Sequence, residues 1–356
     1  DVTDRSRVHI PDDTTAVAYT ITVTGQNSSG YATVTPGDVM TRPNSSTINW
    51  QQPNQTRANG FIVGLDDNQR IKVFVGGTTG FTQVIIDILG YYSPTGGGSV
   101  FVPVSPVRAY SSIAAGAPIA SGQQRTIDVL NGAPGWVPDK ATGIAYNLTI
   151  TDTVGSGFLA VAPGSAAAAP EVSTINWFAP GTTIANATQT GIANGQAKVF
   201  AGGGGSTQFL LDVVGYFVAP EDVPPGVTGA RFVPIDPARA YDSRDPGAGG
   251  PLSGGPAGVG APRTTSVAIG YKVPNGATAV AYNLTVTDTS NAGFLTLAPG
   301  GSTLPPSSNI NWFTSATTVA NGSIVGVDDT RDVTSWVGGG PGGSSQYVVD
   351  VAGYYM

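Results

Sequence analysis

The sequence predicts an all-β protein of three tandem β-sandwich domains, Greek-key or jelly-roll-like, with almost no helix. Three observations predict it. A unit is written three times, marked by Ile48-Asn49-Trp50, Ile175-Asn176-Trp177 and Ile310-Asn311-Trp312, each followed by an Ala-Asn pair ending in Asn59, Asn186 or Asn321. Apolar and polar residues alternate at period two, as in a strand with one covered face, and no helical period occurs. The chain holds 50 Gly and 27 Pro with only 11% charged residues, the punctuation of short strands and turns. A closed barrel uses similar signals and is the alternative.

A chain of 356 residues exceeds what one hydrophobic core fills, so three domains are expected. They span residues 1–94, 100–218 and 231–356. In order, each repeat opens its shared part with a Pro (Pro11, Pro138, Pro274) ahead of an alternating strand. In that strand Val17, Tyr19, Ile21 and Val23 of repeat one return as Ile144, Tyr146, Leu148 and Ile150, and as Val280, Tyr282, Leu284 and Val286. A second strand ends at Pro36-Gly37, Pro163-Gly164 or Pro299-Gly300, a turn signal because Pro presets φ and Gly tolerates positive φ. Pro43, Pro170 and Pro306 precede the Asn-Trp strand. A hairpin follows, turning at Asp66-Asp67-Asn68, Asn194-Gly195 or Asp328-Asp329-Thr330.

Each copy closes on a strand apolar at both parities, 84–92, 209–217 and 347–355, which predicts cover on both faces. One acid interrupts it at the same place, Asp87, Asp212 or Asp350, three residues before Gly90, Gly215 or Gly353. A carboxylate there needs partners, and Arg108 and Arg239 are the candidates. Those arginines lie in a strand that opens repeats two and three only, 101–112 and 232–243. Repeat one lacks it, and repeat three adds a Gly/Pro-rich insertion at 245–262. The linker 93–99, with three Gly, should be flexible, and 218–229, with three Pro, stiffer.

Repeat three reads Phe232-Val233-Pro234, Pro237-Ala238-Arg239, Tyr241-Asp242-Ser243-Arg244, Ala281-Tyr282-Asn283-Leu284-Thr285, Asn309-Ile310-Asn311 and Asp350-Val351-Ala352-Gly353-Tyr354. This resembles the tandem β-rich repeats of secreted and cell-surface proteins of actinobacteria and related bacteria, which often flank enzymatic domains. The resemblance implies an extracellular accessory or structural module and no catalytic residues. Repeat two departs from it at Ser111-Ser112, and repeat one lacks the stretch, so a role for Asp242 or Arg244 is not shared by all copies.

Composition narrows the function. A net charge of −7 cannot neutralise a phosphate backbone, so nucleic acid is not expected as a partner. No apolar run is long enough for a membrane-spanning helix. The chain opens at Asp1 without Met, as expected where an export leader has been removed, and the absence of Cys excludes a disulfide framework. Catalysis has little to work with: the one His is His9, and no thiolate exists. No catalytic, cofactor-binding or metal-ligating residue is assigned. Asp66, Asp67, Asp328, Asp329 and Asp332 could in principle pair as acids or hold calcium, but Asp is the ordinary residue of such turns.

The sharpest signals, Asn49, Trp50, Asn59 and their counterparts, have two readings. Trp could offer a sugar a stacking face, or it could plug each core while the Asn satisfy backbone groups. The core reading is favoured, because the motif travels with residues that look architectural. Asn147 and Asn283 lie in sequons on the outward parity of their strand, sterically open to glycosylation. The expected function is therefore a non-enzymatic, secreted structural protein that self-assembles into a surface layer, sheath or filament. The alternatives are a carbohydrate- or receptor-binding adhesin, a virion fibre included, or an accessory module of a larger secreted enzyme. Partners would be copies of itself, a homo-oligomer or head-to-tail polymer in which repeat one of one subunit meets repeat three of the next, with a surface glycan as the alternative.

Overall fold

The structure, a computed structural model, describes residues 10–77, 80–132, 136–245 and 255–356. Each repeat lays down an inner and an outer antiparallel sheet. In the inner sheet the alternating strand is in the middle: Ala16–Thr24, Ala141–Val154 and Ala279–Ser290. On one side it pairs with what we call the hub strand, Arg57–Gly64, Ile184–Gly191 or Val319–Gly326. On the other it pairs with the closing strand, Gln83–Tyr92, Ser206–Val218 or Ser344–Tyr355. Repeats two and three add the opening strands Val100–Ser111 and Phe232–Asp242 outside the closing strand. Both carry Pro, which an outer strand tolerates because the register is bulged there.

The outer sheet has Gly30–Pro36, Gly157–Pro163 or Gly293–Pro299 between the three-residue Ile-Asn-Trp strand and the strand Ile71–Gly77, Gln196–Gly203 or Asp332–Gly339. Repeats two and three extend it with Gln124–Asp128 and Arg263–Ser266. Helix among the described residues amounts to the turns Val129–Gly132 and Pro220–Asp222. The all-β class holds.

The expectation of three tandem sandwiches does not. The six small sheets are set around one centre, in the manner of a six-bladed β-propeller, and a fourth hydrophobic cluster belongs to no single repeat. It gathers Ala18, Ala145 and Ala281 with Phe101, Phe232 and Tyr355. The physical reason lies in the polar parity of the middle strands. Its residues are small (Ala18, Thr20, Ala145, Asn147, Ala281, Asn283) and buried, so that face packs against the other repeats and does not meet water. A period of two marks one covered face and cannot show that the other is covered as well.

The contact between repeat three and repeat one, expected between subunits, forms inside the chain: Gly322 N donates to Asn59 Oδ1 at 2.9 Å. That contact uses the hub strands Val319–Gly326 and Arg57–Gly64 and not the outer side of Gln83–Tyr92. Residues 1–9 and the centre of the 245–262 insertion, for which expectations were given above, lie outside the described residues. Beyond it, Ala257–Gly258 pairs with the last strand of repeat three.

Candidate functional site

At the centre, the repeated Asn close a ring. Each hub strand presents its Asn and then a small residue, Gly60, Ala187 or Gly322. Gly60 N donates to Asn186 Oδ1 at 2.8 Å, Ala187 N to Asn321 Oδ1 at 3.0 Å, and Gly322 N to Asn59 Oδ1 at 2.9 Å. Each amide then donates its Nδ2 to a carbonyl of its own repeat, Thr47, Thr174 or Asn309, at 2.5 Å. All three Asn are buried. The approach is close: a Cβ on Gly60 would stand 2.3 Å from the Ala187 carbonyl, and one on Gly322 would stand 2.4 Å from that of Gly60.

A second tier of amides joins neighbours. Asn147 Nδ2 donates to Ser308 O at 2.6 Å and Asn283 Nδ2 to Ser46 O at 2.5 Å, so repeat two leans on a loop of repeat three and repeat three on a loop of repeat one. Both Asn are buried between repeats, which removes the glycosylation reading at those sequons. The loops they grip are braced by Asn49, bonded to Ser46, and Asn311, bonded to Ser308, and Asn176 bonds Ser173 in the same way. Repeat one has Thr20 where the others have Asn147 and Asn283.

Trp50, Trp177 and Trp312 are buried, each ring lying against the Gly paired opposite, Gly30, Gly157 or Gly293. Trp50 Nε1 donates to Ser28 O at 2.8 Å. None of these three indoles leaves a face for a sugar. In the hairpin turns Asp66 Oδ1 accepts the amides of Asn68 and Arg70, and Asp328 Oδ1 those of Thr330 and Asp332. Desolvation pushes both carboxyls up, and these hydrogen bonds outweigh it, leaving them below the usual carboxylate range. Among the described residues no three of His, Cys, Asp or Glu gather as a metal site would require. No described helix is long and apolar enough to cross a membrane.

The three acids of the closing strands differ. Asp212 takes a two-pronged contact from Arg108, Nε to Oδ1 at 2.7 Å and Nη2 to Oδ2 at 3.0 Å. Asp350 receives Arg239 Nε at 2.9 Å. Desolvation still raises both carboxyls, the arginine drawing each only part of the way back. Each Arg also reaches the next repeat, Arg108 to the Pro306 carbonyl at 2.7 Å and Arg239 to that of Asn44. Asp87 has no such partner among the described residues, and desolvation alone raises it.

Among the described residues the closing strand Gln83–Tyr92 has no neighbour on its outer side, and Ile71–Gly77 ends the outer sheet on the same flank. Leu89 is 37% exposed where its counterparts Val214 and Ala352 are 3% and 2%. Beside it opens a cleft of about 660 Å³ lined by Ala18, Gly90, Tyr92, Phe217 and the linker around Gly96. The recurrence of Asn59, Asn186 and Asn321 was visible in the sequence, but their partnership was not, since each bond joins residues more than a hundred apart.

No protein-family model matches this chain, and no curated protein does. Among the solved structures that are similar, one is reported as the triple jelly roll fold and turret assembly in an archaeal virus, and another as the atomic structure of Sulfolobus turreted icosahedral virus. Both are 14% identical with a TM-score of 0.17; the first match covers 95% of this chain and 80% of the other, and the second 96% and 82%. Likeness at that level carries no argument about this chain.

Proposed function

We propose that the chain is a non-enzymatic structural building block of an extracellular assembly, a surface layer, sheath or filament. The observation that carries the reading is the Asn ring. It locks three repeats into one body and commits the sequence's most repeated polar side chains to hydrogen bonds between and within repeats. The repeated indoles and two of the three repeated acids are likewise turned to the framework. A side chain so engaged is unavailable to a substrate, whereas a body cross-tied at its centre resists shear between its parts.

The test is negative-stain electron microscopy of native material from the producing cell, with a gold-labelled antibody against the chain. Label repeating along a layer, sheath or filament is the expected result. Label confined to dispersed particles that turn over or retain a soluble glycan would overturn the reading.

A further inference from the structure

Two junctions of the molecule share a framework and differ in charge. Arg108 and Asn147 tie repeat two to the Pro306 and Ser308 carbonyls of repeat three, and Arg239 and Asn283 tie repeat three to those of Asn44 and Ser46 in repeat one. Six residues before the Ile of the Ile-Asn-Trp strand stands Arg42 in repeat one but Leu304 in repeat three. Just after the opening strand stands Arg244 in repeat three but Ile113 in repeat two. Leu304 and Ile113 are each about half exposed, so the junction of repeats two and three is made without a cation at either place. Arg42 and Arg244 are additions to a framework that holds without them.

The two additions line one hollow, of about 360 Å³, between repeats one and three. That volume lies in the range of small-molecule sites. Arg239 lines it too, and shares the carboxylates of Asp242 and Asp350 with its neighbour: Arg239 Nε donates to Asp350 at 2.9 Å and Nη1 to Asp242 at 2.9 Å, while Arg244 holds Asp242 through Nε at 2.8 Å and Nη2 at 2.7 Å. Arg42 meets neither acid. Its guanidinium lies over the Tyr31 ring, 5.1 Å from the centroid.

A hydroxyl supplies the second observation. Thr285 is 8% exposed, lines the same hollow, and its Oγ1 has no hydrogen-bond partner. Its equivalent in repeat two, Thr149, accepts Asn147 Nδ2 at 3.2 Å. A buried hydroxyl left unpaired costs free energy, and a polar group entering the hollow would recover it. Apart from Tyr31, Pro43 and Val348, every residue of the lining is polar or charged. Past Tyr31, Asn49 and Thr318 the hollow runs on into a second, of about 640 Å³, which reaches Gln51 and Gln52.

We propose that this groove between repeats one and three binds an acidic glycan, a chain of sugars that carry carboxylates. A sugar carboxylate is held by Arg42 and the free edge of Arg244, whose planar forks suit that group. Thr285 takes a ring hydroxyl, and the amides of Asn49, Gln51 and Gln52 read the hydroxyls of the sugars that follow. An acidic peptide is disfavoured by a lining with so few apolar side chains to anchor its residues. The inference goes beyond the structural reading and does not rest on it.

The test is isothermal titration calorimetry of the full chain with a hexamer of α-1,4-linked galacturonic acid, set against the neutral hexamer maltohexaose. Saturable binding of the acidic hexamer at one site per chain is expected, with none of the neutral one. Arg42→Leu installs the residue that repeat three carries there, so the fold is kept, and it should weaken binding by about tenfold. Thr285→Val removes the hydroxyl and keeps the shape, and should weaken binding by about fivefold with no fall in melting temperature.

Absence of binding overturns the proposal, as does binding indifferent to both substitutions. A fall in melting temperature for Thr285→Val overturns it as well, since the hydroxyl would then be spoken for within the chain. Equal binding of hexaglutamate or of inorganic sulfate would show a site that reads charge and not sugar, which also overturns it. A chain that forms no layer could still bind the hexamer, and a layer subunit could fail to, so the electron-microscopy test and this one fail separately.

Discussion

Asp87 carries a charge that its counterparts share with an arginine. Its carboxyl is raised by desolvation, so the folded protein holds that proton more tightly than the unfolded chain does. The sign follows: the folded state is favoured with the proton on, below the ordinary aspartate value of 3.8, and stability is lost as pH rises from there through the folded pKa. Asp87→Asn should therefore raise the melting temperature at pH 7 and leave it nearly unchanged at pH 3, as scanning fluorimetry would read. A drop at pH 7 would mean that the carboxylate is stabilised by a partner. The position of the acid was legible in the sequence, because it interrupts an apolar strand. Its different fate in repeat one was legible only as the missing strand that would have brought the arginine.

At the scale of the strand, period two identified the middle strands and the Ile-Asn-Trp signature identified the short outer ones. What the pattern could not reveal is why the second strand of each outer sheet begins with Gly. The structure answers with the indole: a Cβ at Gly157 would stand 2.5 Å from the Trp177 ring, and Gly30 and Gly293 are similarly placed against Trp50 and Trp312. Strand and strand are keyed by a large residue over an absent one. Trp177→Ala should cost about 3–5 kcal/mol in urea unfolding, the range for emptying a large aromatic site. Gly157→Ala should also destabilise, by overpacking, at about 1–3 kcal/mol. A Trp177→Ala protein as stable as the parent would show that the indole contributes no packing.

For the whole molecule, the decisive bonds join residues far apart in the chain, and local pattern is blind to them. Asn59, Asn186 and Asn321 each look like the same corner residue of a separate domain, yet each accepts its hydrogen bond from a different repeat. Small residues on the second parity of the middle strands, Ala18, Ala145 and Ala281, were the one hint that those faces meet something close. Coupling of this kind predicts a single calorimetric transition for the full chain. Asn186→Ala should lower that transition as a whole, by about 1–3 kcal/mol for each buried group left unpaired, here the Gly60 amide and the Thr174 carbonyl. Separate transitions for separate repeats would contradict the shared centre.

The ring also sets a timetable. A ribosome delivers Asn59 first, Asn186 next and Asn321 last, and the circle needs all three. Until Val319–Gly326 has been made, Gly322 cannot reach Asn59, and the central faces of the first two repeats wait without their cover. Nascent chains in that interval expose Ala18, Phe101 and Ala145 to whatever else is in reach, the circumstance in which multi-part proteins aggregate or recruit chaperones. Slow codons placed in the third repeat should therefore lengthen that interval and lower the yield of folded chain, while the same codons in the first repeat should not, as expression of the two recoded genes would read.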